Sequence, residues 1–185
     1  MKSVAIYLGS AKGNAPVYME TAYRLGMELA KRKIKVVYGG SGVGTMGALA
    51  DGVLAGGGEI VGIFPEGFKG KKARWANGER IDRLDLTDLV LVRDFAERKK
   101  VMERSSDCAV ALPGGYGTMD ELFEYAVGNE IGRHDKKCFV LNTGGFYDGM
   151  KVMVEKMISE GFLPGHSSIL FVDTIEELIS NLVAL

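Results

Sequence analysis

The chain has 185 residues, a net charge of −1 and a pI of about 6.2, and 46% of its residues are hydrophobic. This length allows one folded domain over residues 1–185, with a core that needs no disulfide or metal. The lack of a basic excess argues against a nucleic-acid partner, and no segment is long and apolar enough to cross a membrane. Because the N-terminus lacks a signal-peptide pattern, we expect a cytoplasmic protein with reduced, buried cysteines at Cys108 and Cys138.

Short apolar runs alternate along the chain with segments of helix length. Strands are predicted at residues 4–8, 35–38, 60–64, 89–93, 108–112, 139–142 and 169–172. Helices are predicted at residues 16–32, 45–56, 94–105, 118–131, 146–161 and 174–184. This alternation predicts an α/β fold, a parallel sheet of about seven strands with helices on both faces. The strands are continuous β-branched runs, as expected when both faces of a sheet are buried.

Three glycine-bearing turns follow predicted strands, and together they hold many of the 26 glycines. The first is Gly9-Ser10, the second spans residues 39–47, and the third is PGGYGTMDE at residues 113–121. In open α/β sheets ligands bind beyond the carboxyl ends of the strands. We therefore expect the three turns to line one crevice.

The second turn contains Gly42-x-Gly44-x-x-Gly47, which follows a strand and opens a helix. This spacing matches the dinucleotide-binding pattern, with Glu66 as the acidic residue past the next strand, and it suggests an NAD(P) oxidoreductase. A single match of this kind is weak, and the pattern follows the second strand rather than the first. A close-packed turn or a contact with a mononucleotide explains the glycines equally well.

The third turn is typical of a phosphate site. Glycines let the backbone approach a ligand closely, and the free N–H groups at the start of the following helix attract an anion. Thr118 adds a hydroxyl donor. However, Thr118-x-x-Glu121 is also the pattern of a capping box, in which Glu121 only closes the helix end. Spacing alone does not decide between the two interpretations.

Arg98 is predicted on the apolar face of a helix, three residues after Phe95 and four before Met102. An inward-facing arginine is costly unless it is paired, although its head group can also reach water. Because this helix begins just past a strand, Arg98 can meet Glu121, a phosphate, or both. His134, which we place in an exposed turn, and His166 do not form a metal set, and no hydrolytic triad is legible.

Glu97-Arg98-Lys99 followed by PGGYGT-x-x-Glu resembles the signature of the Lonely guy (LOG) family. Members are cytokinin riboside 5'-monophosphate phosphoribohydrolases, often labelled lysine decarboxylases, although we find no pyridoxal site here. The resemblance covers nearly the whole chain. It includes Tyr7-Leu8-Gly9-Ser10 in the first turn, the second turn from Val37 to Gly47, and the later segments HDK at residues 134–136 and GFYD at residues 145–148.

The resemblance implies a Rossmann-like, doubly wound fold, a homodimer, and hydrolysis of the base–ribose bond of a nucleoside 5'-monophosphate without a metal or cofactor. It implies a catalytic pair, Arg98 and Glu121. The phosphate-binding residues it implies are Gly114, Gly115, Gly117 and Thr118. The substrate-binding candidates on the matching segments are Gly9, Ser10, Gly40, Gly44, Met46, Lys99, Tyr116 and Asp120.

The chain departs from the family pattern at positions that we expect to meet the base. Arg80, beside Glu79, stands where the family tends to have an acidic contact, and residues 127–130 read Val-Gly-Asn-Glu instead of Thr-Trp-x-Gln. Plain AMP or another purine monophosphate is therefore a substrate candidate beside a prenylated nucleotide. A non-catalytic nucleotide or cofactor carrier on the same fold is the alternative function.

Two further features each have two interpretations. Residues 69–85 carry the single tryptophan, Trp75, and form either a flap over the site or a solvated loop. The helix at residues 118–131 is apolar on more than one face, which suits either a dimer contact or a buried core helix.

Overall fold

The fold is described from a computed structural model, which covers residues 1–72, 81–163, 165 and 167–185. All predicted strands and helices are confirmed to within two residues at each end. The strands are β1 (Ser3–Tyr7), β2 (Lys35–Tyr38), β3 (Ile60–Pro65), β4 (Asp88–Val92), β5 (Cys108–Ala111), β6 (Cys138–Leu141) and β7 (Ile169–Val172). The helices are α1 (Pro16–Lys31), α2 (Gly44–Ala55), α3 (Phe95–Arg104), α4 (Tyr116–Glu130), α5 (Asp148–Ser159) and α6 (Ile175–Val183).

The strands form one parallel sheet in the order β4-β3-β2-β1-β5-β6-β7. The chain moves outward from β1 to β4 on one side, then returns to the centre and moves outward from β5 to β7 on the other. Strands β1 and β5 are therefore neighbours at the point where the winding direction reverses, with Ala5 paired to Ala109. A crevice opens at such a switch point, beyond the carboxyl ends of the two strands.

The helices cover both faces of the sheet, as predicted. Successive residues of a strand point to opposite faces, so Ile6 and Tyr7 of β1 belong to different cores. Ile6 packs in a cluster with apolar residues of α1, α2 and α6, such as Leu25 and Leu49. Tyr7 packs in a second cluster with residues of α3 and α4, among them Met102. The two cores hold the sheet and the loops at its carboxyl edge in place.

The structure tests the predictions made for the two cysteines and for His134. Cys108 and Cys138 are buried free thiols, as predicted. The exposed turn predicted around His134 is wrong for its side chain, which is only 6% exposed and packs on Tyr125 with ring centroids 4.5 Å apart. His166, Trp75, Glu79 and Arg80 lie outside the described residues, as do residues 73–80 of the predicted flap.

Two general features bear on the class of protein. Among the described residues, no three His, Cys, Asp or Glu side chains are grouped so that they could hold a metal ion. Within the same part of the chain, every helix is too short or too polar to cross a membrane.

Candidate active site at the switch point

The three glycine turns are in direct contact at the carboxyl edge of the sheet. A Cβ atom at Gly44 would lie 2.2 Å from the carbonyl oxygen of Ser10, and Gly44 has a φ of +61°. The Thr45 hydroxyl donates a hydrogen bond of 2.7 Å to the carbonyl of Gly9. A Cβ atom at Gly114 would lie 3.0 Å from the Gly9 nitrogen. The glycines are therefore needed for the turns to pack together, as the sequence indicated for one shared crevice.

The dinucleotide-like pattern of the second turn has a structural explanation. A Cβ atom at Gly47 would lie 2.3 Å from the carbonyl oxygen of Gly42, so the turn folds tightly on itself. Glu66 is exposed at the start of a short 3-10 helix, Glu66–Phe68, and does not line the crevice. The geometry favours the close-packed turn over a dinucleotide site.

The crevice is a cavity of about 780 Å³ between the three turns and the start of α3. Its polar part contains Gly9, Ser10, Gly39, Ser41, Arg98, Gly115, Tyr116, Gly117, Thr118 and Glu121. Its apolar part contains Ile6, Leu8, Met46, Phe64, Pro65, Phe68, Ile81 and Phe95. A volume of this size and a lining with few polar groups are typical of sites for small organic molecules.

Helix α4 begins at the cavity with no side chain capping it. The helix starts at Tyr116, two residues before the predicted start, and its N-cap residue is Gly115. Thr118 is therefore inside the first turn of the helix, and the capping-box interpretation is wrong. By contrast, the side chain of Asp94 caps α3. The first N–H groups of any helix lack intrahelical partners, so those of α4 can bind an anion in the cavity.

Glu121 lies one turn further into α4 and meets Arg98 of α3. Their contact, from Arg98 Nη2 to Glu121 Oε1, is 2.5 Å. The side chains are 15% and 7% exposed, so the interpretation of Arg98 as an arginine with its head in water is wrong. The pair brings the two predicted catalytic residues together, on different helices and 23 positions apart in the chain.

Burial changes the acidity of Glu121 more than its partner does. The pKa of the Glu121 carboxyl is raised to about 7, chiefly by burial and also by the charge of Asp120, against the opposing effect of Arg98. A carboxyl with a pKa near neutral can both accept and release a proton under physiological conditions. Tyr7, on the neighbouring strand, has its pKa raised by its own burial and then by the charge of Glu121.

The other predicted site residues divide into two groups. Gly9, Ser10, Met46, Gly115, Tyr116, Gly117 and Thr118 line the cavity together with the catalytic pair. Gly40, Gly44, Lys99, Gly114 and Asp120 do not line it. Their roles as ligand contacts stay predictions.

Each residue of the second group has another environment. A Cβ atom at Gly40 would lie 3.2 Å from the ring of Phe64, and Gly44 and Gly114 lie against the first turn. Lys99, whose side chain is 16% exposed, binds the exposed carboxylate of Asp120, with 2.9 Å between the nitrogen and the nearer oxygen. Val127, which we expected to meet the base, is exposed on α4 and outside the cavity lining.

The apolar wall of the cavity was not predicted from the sequence. Phe64 lies near the end of β3, and Phe68 ends the 3-10 helix that follows it. Phe95 is the first residue of α3, and Ile81 belongs to the segment before β4. The position of Phe95 on the face of Arg98 was visible in the sequence. The contact of Phe95 with Phe68 was not, because 26 residues of irregular spacing separate the two.

Comparison with known proteins places the chain among characterised relatives. The sequence model of a family described as "Possible lysine decarboxylase" matches residues 46–182. The cytokinin riboside 5'-monophosphate phosphoribohydrolase LOG5 of Arabidopsis thaliana is 35% identical over 185 residues, covering 99% of this chain and 78% of the relative. The chain belongs to the LOG family. A rice relative, the probable phosphoribohydrolase LOGL9, is 38% identical, with 92% of this chain and 72% of the relative covered.

Solved structures show that the LOG fold also occurs in other proteins. The molybdenum cofactor binding protein of Rippkaea orientalis superposes with a TM-score of 0.70 over 100% of this chain and 97% of its own. Its sequence is only 19% identical, so the similarity concerns the fold alone. It does confirm the Rossmann-like architecture that the sequence predicted.

Proposed function

We propose that this LOG-family chain is a nucleoside 5'-monophosphate phosphoribohydrolase. It would cleave the N-glycosidic bond of a cytokinin riboside monophosphate, or of an AMP-like nucleotide, to a free base and ribose 5-phosphate. The observation that carries the proposal is the buried Arg98–Glu121 pair beside the uncapped start of α4, in one cavity of nucleotide size. The names of the Arabidopsis and rice relatives support the same reaction class.

The start of α4 is the part of the cavity suited to the 5'-phosphate. The first N–H groups of α4 and the hydroxyl of Thr118 supply donors, and the positive end of the helix dipole favours an anion there. Binding the phosphate, which does not react, fixes the ribose relative to Glu121 one turn further along the helix. Interactions with such a remote group are a source of rate acceleration at the reacting centre.

Glu121 is the group suited to the chemical step. In the reaction, water forms a bond to C1' of the ribose while the bond from C1' to the base breaks, and the base leaves with the electron pair. The transition state resembles an oxocarbenium ion, whose positive charge an ionised carboxylate stabilises. The carboxylate accepts a proton from the water, the departing base takes up a proton from solvent, and the carboxyl then releases its own proton to solvent, which restores the starting state. Arg98 holds Glu121 in place and keeps part of it ionised at neutral pH.

Product analysis tests the proposal directly. The protein is incubated separately with AMP, isopentenyladenosine monophosphate and adenosine, and free base is measured by chromatography. We expect base from the monophosphates and much less from adenosine, and the ranking of the two monophosphates gives the base preference. Tight nucleotide binding without any base release would instead support the carrier function.

We also propose that the chain forms a homodimer through α4. Phe123 and Val127 of this helix and Ile131, its C-cap residue, lie at intervals of four residues, and each is at least 40% exposed. Such a stripe is typical of a surface that another helix covers. Sedimentation equilibrium tests this, because Val127→Glu should convert a dimer to a monomer, whereas the same change on α5, Val152→Glu, at a residue that is 66% exposed, should not. The cytoplasmic location stays a prediction from the sequence.

A further inference from the structure

Two aromatic rings connect the segment after β3 to Arg98. The guanidinium carbon of Arg98 lies 4.8 Å from the centroid of the Phe95 ring. Phe95 in turn makes an edge-to-face contact with Phe68, with centroids 5.0 Å apart and an interplanar angle of 65°. Both rings line the cavity. The contacts form a chain of three side chains, which we call the Phe68–Phe95–Arg98 stack.

Hydrogen bonds alone do little to fix the orientation of Arg98. Its Nη2 contacts Glu121, but its Nε is buried without a hydrogen-bond partner among the described residues. A guanidinium held through one nitrogen can rotate about that contact. Arginine also has several rotatable bonds, and ordering them has an entropic cost. Another contact must therefore define the plane of the group.

The Phe95 ring and the backbone of Gly39 supply that contact. A Cβ atom at Gly39 would lie 3.1 Å from Arg98 Nη1 and 2.8 Å from the end of Met46, so the glycine leaves the space that the guanidinium occupies. The cation is thus confined between the Phe95 ring and the second glycine turn. The attraction of a cation to an aromatic face adds to this confinement, and it is stronger where water is partly excluded.

We propose that Phe95, supported by Phe68, is a positioning residue that orients Arg98 toward Glu121. The inference rests on the proposed function for its kinetic consequence, but the positioning itself is a property of the unliganded protein. Phe95 is 46% exposed, which is unusual for a ring that serves only as core. Its contacts with a cation and a second ring give it a role that burial does not.

The environment of Glu121 makes the positioning measurable without turnover. The charged or titratable groups that act on this carboxyl are Arg98 and Lys99 of α3, Asp120 of α4, and Tyr7 of β1. Of these, only Arg98 contacts the Phe95 ring. If Arg98 is released from the ring, its stabilisation of the ionised carboxylate weakens, so the pKa of Glu121 should rise.

The test compares Phe95→Leu, Phe95→Tyr and Phe68→Leu with the matched control Phe162→Leu. Phe162 is 82% exposed and lies outside the cavity lining. The first measurement is the pH titration of the Glu121 carboxyl by ¹³C NMR, with the signal assigned by its loss in Glu121→Gln. The second is kcat and KM for AMP or isopentenyladenosine monophosphate, whichever the wild-type protein hydrolyses faster, measured across pH.

We expect Phe95→Leu to raise the pKa of Glu121 by about half a pH unit and to lower kcat about 10-fold, with KM changed less than about 3-fold. Phe68→Leu should produce smaller changes of the same kind, and Phe95→Tyr, which keeps the ring, should stay within about 2-fold of the wild type. The acidic limb of the kcat profile should move with the NMR titration. Phe162→Leu should change none of these.

The two readouts separate the inference from the function on which it rests. An unchanged Glu121 titration in Phe95→Leu would overturn the positioning role, whatever the kinetics. Equal losses in Phe95→Leu and Phe95→Tyr would also overturn it, because the aromatic face would then be irrelevant. A shifted titration in a protein that releases no base from any nucleotide would leave the positioning supported and the proposed function wrong.

Discussion

Helices α3 and α4 are joined by two neighbouring ion pairs that differ in their surroundings. Arg98 binds Glu121 in the cavity, where both side chains are largely buried. Lys99, the next residue, binds Asp120 and Glu124. Asp120 directly precedes Glu121 in the chain, and its side chain is 63% exposed. The two cations are about equally buried, at 15% and 16% exposure, so the pairs differ in their carboxylates: Glu121 is 7% exposed, Asp120 63% and Glu124 33%.

The difference teaches that burial, and not the presence of a partner, makes a carboxylate chemically useful here. Burial raises the pKa of Glu121 to about 7 although an arginine lies 2.5 Å away. An exposed ion pair is screened by water and contributes little to stability. Glu121, the buried carboxylate, is therefore suited to proton transfer and charge stabilisation, and the more exposed carboxylates of Asp120 and Glu124 are suited to holding the two helices in register.

The largest difference between the two pairs should appear in activity. Glu121→Gln keeps the shape of the side chain but removes its charge and its ability to accept a proton. We expect kcat/KM for nucleotide hydrolysis to fall about 1000-fold, within the range for loss of an acid–base group. Glu130→Gln, an exposed site on the same helix, is the matched control and should retain full activity. A fall of less than 10-fold in Glu121→Gln would contradict a chemical role for this carboxyl.

A second difference should appear in the pH dependence of stability. The pKa of Glu121 is raised by burial to about 7 in the folded protein, so the folded state holds its proton at a pH where the unfolded chain has lost it. Stability from this group is fully present below about pH 4.5, the usual pKa of the side chain, and is lost as the pH rises through about 7. The loss amounts to roughly 3 kcal/mol.

Urea unfolding at a series of pH values measures this effect. The free energy of unfolding of the wild type should fall relative to that of Glu121→Gln as the pH is raised from 4.5 to 7. Subtracting the two curves removes the other titrating groups, which the variants share. A difference between the proteins that is constant with pH would show that the carboxyl titrates normally.

Much of the fold and part of the site could be predicted from the sequence. Apolar runs and turn residues located every strand and α-helix of the described residues, because local patterns decide where an element exists. The pairing of Arg98 with Glu121 was one of three alternatives for Arg98, supported by its place on the apolar face of α3. The two catalytic candidates were therefore accessible to reasoning about periodicity together with the family resemblance.

The rest depended on contacts that no local pattern encodes. The start of α4 at Tyr116 follows from an uncapped glycine turn that packs against the first turn, and this decided against the capping box. The apolar wall depends on how the segment after β3 folds back toward α3, as the Phe68–Phe95 contact shows. Likewise, Lys99 was a substrate-binding candidate from the family resemblance, and it lies outside the cavity lining because one residue along a helix turns the side chain about 100° away from that of Arg98; its role as a ligand contact stays a prediction.

A third difference should appear when the cation of each pair is removed. Arg98→Met leaves the buried carboxyl of Glu121 without its partner, so we expect a loss of about 3 kcal/mol in the free energy of unfolding at pH 8. The loss should be smaller at pH 5.5, because Glu121 can then take up a proton and avoid the buried charge. Arg104→Met, exposed near the end of the same helix, controls for the substitution itself. A loss equal at both pH values would contradict the coupling of the two charges.

The smallest effect should belong to Lys99, whose partner carboxylates are the more exposed ones. Lys99→Met removes the ion pairs with Asp120 and Glu124, and we expect a loss below about 1 kcal/mol in the free energy of unfolding. The loss should shrink further in 1 M salt, where exposed charges are screened within about 3 Å. The loss in Arg98→Met should change much less with salt, because its pair is buried.

Since Lys99 is outside the cavity lining, kcat of Lys99→Met for nucleotide hydrolysis should stay within about 3-fold of the wild type. A larger loss of activity in Lys99→Met would mean that the register of α3 and α4 at the surface controls the geometry of Arg98 and Glu121, and the two pairs would then act as one unit.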